Sequence, residues 1–479
     1  MGLFGRIKEF LMGVFRRTDV KKVTGYHPQI SDGMLSEVEM WRDIYAGSPR
    51  WVKDSKFDKT TNFAKVVCRD LAQKATSEAK ITTGDDDADA LLAMVADKLP
   101  EKVERILAVG SSVARPYYDA QAETIRVEWF PADRVAPLQW HGDELRSVAL
   151  MDFATPSSEG GKQTYVKIET HIWGNRSTTI QSKAYLWNNG AIGAQVPLSR
   201  VPEWSDLNEK PIEITNIDHP VFTYIKTPIA NNIDGSNNGV SLFANAIAQL
   251  EELDGTFSAM AWERVSGETK VFVAESMIPQ KMGQDGHVYD DLSAVDRRMY
   301  KVLDGGVEKN LFEVSSPVLR FDQYKTHMDE LISLACKNMG LDAKSFLSDR
   351  QGNAITAQQI LSEKNETYTT VLNFQEKMLK PGLWSVLDNI RVLQELYGIT
   401  VGRIPEDDEA ISITFGDSIL VDEESERQIA IDEVTKGLRS KVSYLMEYRG
   451  LSEEDALKEL ERIKADAPVI DYFGMGEGV

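Results

Sequence analysis

Apolar positions recur at three- and four-residue steps through the first part of the chain. Leu35, Val38, Trp41, Ile44 and Tyr45 form one stripe, and Phe63, Val66, Val67, Leu71 and Ala75 another. This spacing predicts helix over 35–83. An acidic turn, Gly84-Asp85-Asp86-Asp87-Ala88-Asp89, then leads into one further helix running to about Val109. From 111 to 226 the period falls to two. Thr124-Ile125-Arg126-Val127-Glu128-Trp129 alternates, as do stretches around 146–153, 164–173 and 178–187. With turn formers between them, these predict an antiparallel meander with one buried face. Residues 227–239 read as loop.

Helical spacing returns from Val240 to about Val265, where Phe243, Ile247, Leu250, Phe257 and Ala261 make a seam that Asp254 and Gly255 interrupt. A second helix is predicted over 322–338, with Gly340 placed to end it. Between the two lies a small excursion with strand signals at 270–273, 299–303 and 312–314. A loop at 341–354 leads into a long helical stretch from about Ile355 to Tyr397, in which Pro381 predicts a kink or break. The middle of that stretch, Ser362 to Thr370, is almost wholly polar, so it should face water or a polar partner. One strand (411–415) and helices near 423–437, 440–448 and 452–465 close the pattern.

Composition narrows the function. The 479 residues carry 54 Lys plus Arg against 75 Asp plus Glu, a net charge of −21, with 42% hydrophobic residues. That is a globular composition. It is the wrong sign for a protein that grips nucleic acid by neutralising phosphate. The two cysteines, Cys68 and Cys336, lack any zinc or disulfide spacing. The acids at 85, 87 and 89 resemble the start of a calcium loop, but Ala90 and Ala96 stand where its Gly and Glu belong. No P-loop, nucleophile elbow or His-Glu-x-x-His motif occurs, and six scattered His residues show no ligand spacing. No enzymatic activity and no cofactor are expected. Residues 1–22, apolar at helical spacing with six basic side chains against two acidic, read as a terminal amphipathic helix docked on this protein or a partner.

Several local stretches carry a family likeness. Trp41-Arg42-Asp43-Ile44-Tyr45-Ala46-Gly47, followed by Trp51, resembles an early "W-x-x-x-Y-x-G…W" signature. Ile355-Thr356-Ala357-Gln358-Gln359-Ile360 with Ser362 is similar to a "TATE" helix start, Gln359 replacing the usual Glu. Phe415-Gly416-Asp417-Ser418-Ile419 and Gly450-Leu451-Ser452-Glu453-Glu454 match a C-terminal pattern. In this order, with a two-helix pair around a small excursion, they resemble the portal proteins of tailed bacteriophages, closest to the Gram-positive siphophage group.

The resemblance implies an α+β portal fold with wing, stem, clip and crown, mostly helical with an antiparallel β region in the wing. Residues 1–237 would be wing, 238–267 the first stem helix, 268–320 the clip and 321–340 the second stem helix. Residues 341–354 would be a channel loop, 355–422 a long channel helix and return to the wing, and 423–479 the crown and tail. About twelve copies would form a ring at one capsid vertex, built in the host cytoplasm and kept in the virion. Its implied partners are the terminase large subunit, scaffold and major capsid protein, a head-completion protein, and double-stranded DNA passing without sequence specificity. Lys344, Ser345, Arg350, Gln351 and Asn353 would approach the DNA from the loop. Thr356, Gln358, Gln359 and Glu363 would do so from the helix. The rival readings are a DNA-processing enzyme without recognised motifs, which needs a concave cluster of titratable groups, and another minor virion component, which would lack the paired helices.

Overall fold

Capping and chain breaks set the N-terminal helices. The structure, a computed structural model, describes residues 15–53, 58–120, 122–156, 163–188, 191–274, 280–282, 288–290, 300–303, 312–347, 357–416, 431, 434–436, 439–449 and 453–466. Helix α1 (Arg17–Thr24) precedes α2 (Asp32–Tyr45), whose start is capped by Ser31 Oγ accepting the Met34 N–H at 3.0 Å. The stripe Leu35, Val38, Trp41 and Ile44 is buried as its spacing predicts. Helix α3 (Phe63–Ala75) follows, but the helical reading of 35–83 fails between the two helices, where the described residues 46–53 and 58–62 belong to neither, and again at its end. Lys80–Thr82 is a strand, β1, which pairs antiparallel with Ser412–Thr414 far along the chain. Three residues cannot display a period, and only the distant partner makes them a strand.

The acidic turn is a capping structure. Asp85 Oδ1 accepts from the Asp87 and Ala88 N–H groups, and Asp89 Oδ1 accepts from the Thr83 N–H and hydroxyl. The single helix predicted beyond it is two, α4 (Asp86–Asp97) and α5 (Leu99–Val109). Pro100 sits in the first turn of α5, where a missing N–H is tolerated.

The β region makes two sheets. Strands β2 (Ser111–Asp119), β3 (Thr124–Pro131) and β10 (Thr223–Lys226) form one, in the order β10-β2-β3. The meander β4 (Val135–His141), β5 (Glu144–Ala154), β6 (Thr164–Trp173), β7 (Ser177–Asn188) and β8 (Ala191–Val196) forms the other, with β9 (Ile212–Thr215) also on β7. The expectation of one buried face is corrected: Val148 and Leu150 are buried on one side of β5, Ala149 and Met151 on the other. The smaller sheet supplies part of that cover, since Val113 and Phe130 cluster with Val135, Leu145, Val148, Leu150 and Phe222. The sheets are also pinned by charge. Arg115 Nη1 donates to both Glu169 oxygens at 2.7 and 2.8 Å, while His171 Nε2 donates to Glu169 Oε1 at 2.8 Å.

Helix α6 (Ile247–Ser266) begins later than the periodicity suggests. Over 240–242 the backbone is already committed elsewhere: Thr227 Oγ1 donates to Val240 O, and the Leu242 N–H donates to Leu107 O. Here the backbones of Gly110 and Gly239 cross. A Cβ on Gly239 would meet Gly110 O at 2.1 Å, so both positions require glycine.

The excursion contains β11 (Lys270–Ala274), β12 (Gln280–Met282), β13 (Val288–Asp290), β14 (Tyr300–Leu303) and β15 (Phe312–Ser315). They form the sheet β14-β11-β15 and a β12–β13 hairpin. Helix α7 (Phe321–Asn338) returns the chain. The long stretch is α8 (Ala357–Phe374), one π-helical segment (Gln375–Leu379) and α9 (Lys380–Leu396). Pro381 cannot donate to Lys377 O, and the irregularity expected there takes the form of a π turn directly before it. Helix α9 is fixed to the β10-β2-β3 sheet by Asn389, whose Nδ2 donates to Thr223 Oγ1 at 3.0 Å. Strand β16 (Ser412–Thr414) ends this unit.

Residues Asp417–Val479 form a second compact unit with helices α10 (Lys441–Arg449) and α11 (Glu453–Asp466). Tyr444 and Tyr448 stack within it. Of the helix expected over 423–437, only 431 and 434–436 fall among the described residues, and residues 1–14 lie outside them. No helix among the described residues is long and apolar enough to cross a membrane.

Candidate functional site

The paired helices α6 and α7 lie antiparallel and are fastened at both ends. At one end the Arg320 N–H donates to Glu263 Oε1 at 2.7 Å and Arg320 Nη2 to Glu263 Oε2 at 2.8 Å. These bonds, from the side chain and then the backbone, hold the Glu263 carboxyl down at about 2. At the other end Asn338 Nδ2 donates to Asn245 O and Gln249 Oε1. Leu250, Leu253, Ala335 and Cys336 are buried, and burial pushes the Cys336 thiol up to about 12. That thiol stays protonated at neutral pH and acts as a small apolar group. Much of the remaining length is only half covered, with Trp262 and Leu334 about half exposed.

Asp254, which interrupts the apolar seam in sequence, is buried and has a task. It accepts from Trp51 Nε1 at 3.0 Å, from the Thr61 N–H at 2.7 Å and from Thr61 Oγ1 at 2.9 Å. One turn on, Ser258 Oγ accepts the Lys59 N–H and donates to Lys59 O. The "W-x-x-x-Y-x-G…W" stretch thereby gains physical content. Trp41 is core, Tyr45 Oη donates to Glu104 Oε1 at 2.7 Å, and Trp51 reaches the helix pair. Burial, reinforced by Glu104, raises Tyr45 far above the usual phenol range and keeps it a donor.

The segment after α7 is an ordered turn as far as Leu347. The Leu341 N–H donates to Cys336 O, and Gly340 takes a left-handed φ of +70° where the helix ends, as expected. Thr370 Oγ1 donates to Gly340 O at 2.7 Å, and the Asp342 N–H donates to Thr367 Oγ1 at 2.8 Å. Two threonines in the polar middle of α8 thus carry the turn, a role that polarity alone did not reveal. Phe346 meets Phe63 of α3 edge-on, with centroids 5.5 Å apart.

The expected site residues fall unevenly. Lys344 is partly exposed, its N–H donating to Asp342 Oδ1 at 3.2 Å, and Ser345 beside it is exposed. Arg350, Gln351, Asn353 and Thr356 lie outside the described residues. Gln358, Gln359 and Glu363 belong to α8, whose backbone alone is described there. The structure therefore brings Lys344 and Ser345 into one turn between α7 and α8. Sequence reasoning missed Asp254, Thr367 and Thr370; an acid inside an apolar seam was the one available signal.

Paired helices thus bracket a small β module, and a long helical stretch after them returns to the β-rich body. The model of the family "Phage portal protein, SPP1 Gp6-like" matches residues 60–468, and the chain belongs to that family. It is a portal protein, the head-to-tail connector that forms the DNA channel at a capsid vertex. No curated protein matches it in sequence. Among solved structures it is similar to a chain in "Neck of empty GTA particle computed with C6 symmetry", at 12% identity and TM-score 0.40, covering 94% of this chain and 100% of that one. It is also similar to a chain in "Virion of native gene transfer agent (GTA) particle", at 12% identity and TM-score 0.37, covering 94% and 99%.

Proposed function

We propose that this portal is a ring of about twelve subunits of the Gram-positive siphophage type. Residues 1–237 and the return after α8 form its wing, α6 and α7 its stem, 268–320 its clip, 341–354 its channel loop and 423–479 its crown. The clip receives the terminase large subunit during packaging and a head-completion protein afterwards, while scaffold and major capsid protein surround the wing. The subunit assembles in the host cytoplasm and remains in the virion. It makes and breaks no bonds; its task is to guide DNA.

The observation that carries this reading is the fastened α6–α7 pair with the turn that Thr367 and Thr370 tie to α8, in a chain of this family. A conduit must let duplex DNA slide, so each phosphate contact has to be weak and none may read bases. Lys344, Ser345, Arg350, Gln351 and Asn353 supply transient contacts, and Thr356, Gln358, Gln359 and Glu363 extend the polar surface. Residues 423–479 hold 8 basic against 14 acidic side chains, so the crown repels packaged DNA. Negative-stain microscopy of the purified chain tests the reading. Closed rings with a central hole are expected; compact monomers at micromolar concentration would overturn it.

A further inference from the structure

We infer that Asp254 is a positioning residue through which helix α6 controls the turn after α7. Its carboxylate sits in the middle of α6, only 5% exposed, and gathers three uncharged donors from Trp51 and Thr61. A buried carboxylate is tolerated only while such donors replace its hydration, so α6 and Thr61 move together or the charge is left unsolvated. Thr61 stands two residues before Phe63, the first residue of α3, and the Phe63 ring lies edge-on to Phe346. The chain of contact from α6 to the turn is therefore short: one carboxylate, three covalently joined residues and one ring pair. On its other side the same turn hangs from α8 by Thr367 and Thr370. It is thus tethered on both sides, and Asp254, together with the Ser258–Lys59 bonds one turn on, fixes the tether that reports the position of α6. The inference rests on the portal reading only for its functional meaning, that a shift of the stem is felt at the channel; the coupling itself is intramolecular.

Hydrogen exchange read by mass spectrometry on the full chain, in its assembled state, tests this. In Asp254→Asn, which keeps the shape and one acceptor but removes the charge, peptides over 58–62 exchange about tenfold faster. Peptides over 341–347 accelerate with them, by about threefold or more, while 383–390 in α9 keep their rate. In Phe346→Leu, 341–347 accelerate and 58–62 do not. The inference is overturned if Asp254→Asn opens 58–62 and leaves 341–347 unchanged, or if 383–390 accelerate equally. Should Asp254→Asn fail to fold, Trp51→Phe removes one donor and carries the same comparison. Wild-type rings lacking the coupling overturn this inference alone, whereas a wild-type chain that forms no rings overturns the portal reading and leaves the coupling measurable.

Discussion

Thr370 Oγ1 donates to the carbonyl of Gly340 at 2.7 Å, so the residue that follows the end of α7 is held by a side chain of α8. A helix C-terminus normally leaves carbonyls to be satisfied locally or by water. Here the carbonyls of 335–337 accept locally from the N–H groups of 339–341, and the Thr370 bond just beyond them ties the end of α7 to α8, with Thr367 repeating the device on the Asp342 N–H.

Replacing both threonines by valine keeps the shape and removes both bonds. Each loss costs about 0.5–1 kcal/mol at such a partly exposed position, so together they raise the open population of the turn roughly tenfold. Tryptic cleavage after Lys344 should accelerate by a similar factor, and Thr367→Ser with Thr370→Ser should stay near the wild-type rate. Equal cleavage of all three proteins would show that the threonines do not hold the turn.

Arg115 and Glu169 pin the two sheets from within. Burial works to raise the Glu169 carboxyl, but the Arg115 guanidinium, His171 and Lys167 outweigh it and hold it well below the usual range. Glu169→Gln leaves Arg115 with Glu128 as its remaining carboxylate partner, and the expected loss is about 1–3 kcal/mol, read as a lower urea midpoint. The sign of the pH effect follows from the depressed value. The stabilisation is present above the ordinary glutamate range and is lost as pH falls below it towards the folded value. Wild type should therefore lose stability across that acid window more steeply than Glu169→Gln.

Glu263 and Arg320 close the open end of the helix pair, and the carboxyl there sits near 2. The closure is fully present above the ordinary glutamate value and is lost as pH falls through about 2. Hydrogen exchange of the 316–324 backbone should therefore stay slow at pH values around 4 in wild type. In Arg320→Ala the Glu263 carboxyl returns towards its ordinary value, and the same segment should open at higher pH. An identical acid profile in both proteins would count against the ion pair as the fastening.

Neutralising Lys344 and Arg350 together should reduce the amount of DNA packaged while rings still assemble. A packaging assay paired with microscopy of the variant separates the outcomes. Loss of rings would place the two residues at a subunit contact instead of the channel.

Much of this architecture is legible in the chain. The stripe from Leu35 to Ile44, the alternation from Thr124 to Trp129 and the helix ending at Gly340 each repeat a local period or a local cap, and they fold as written. The failures share a cause. Lys80–Thr82 is a strand because β16 pairs with it, and 240–242 leaves the helix because α5 and Thr227 take its backbone groups. The face of β5 that alternation assigns to solvent is buried because other parts of the chain cover it. The candidate site divides in the same way. Composition and motif order point to a connector that does not hold DNA, since net charge and local pattern need no folding to be read. Why Asp254 sits in an apolar seam, and which residues of the polar run from Ser362 to Thr370 hold the turn, only the tertiary structure decides. A hydrogen bond between residues far apart in sequence leaves no periodic trace, because its energy depends on where two donors and acceptors meet and not on what stands beside them in the chain.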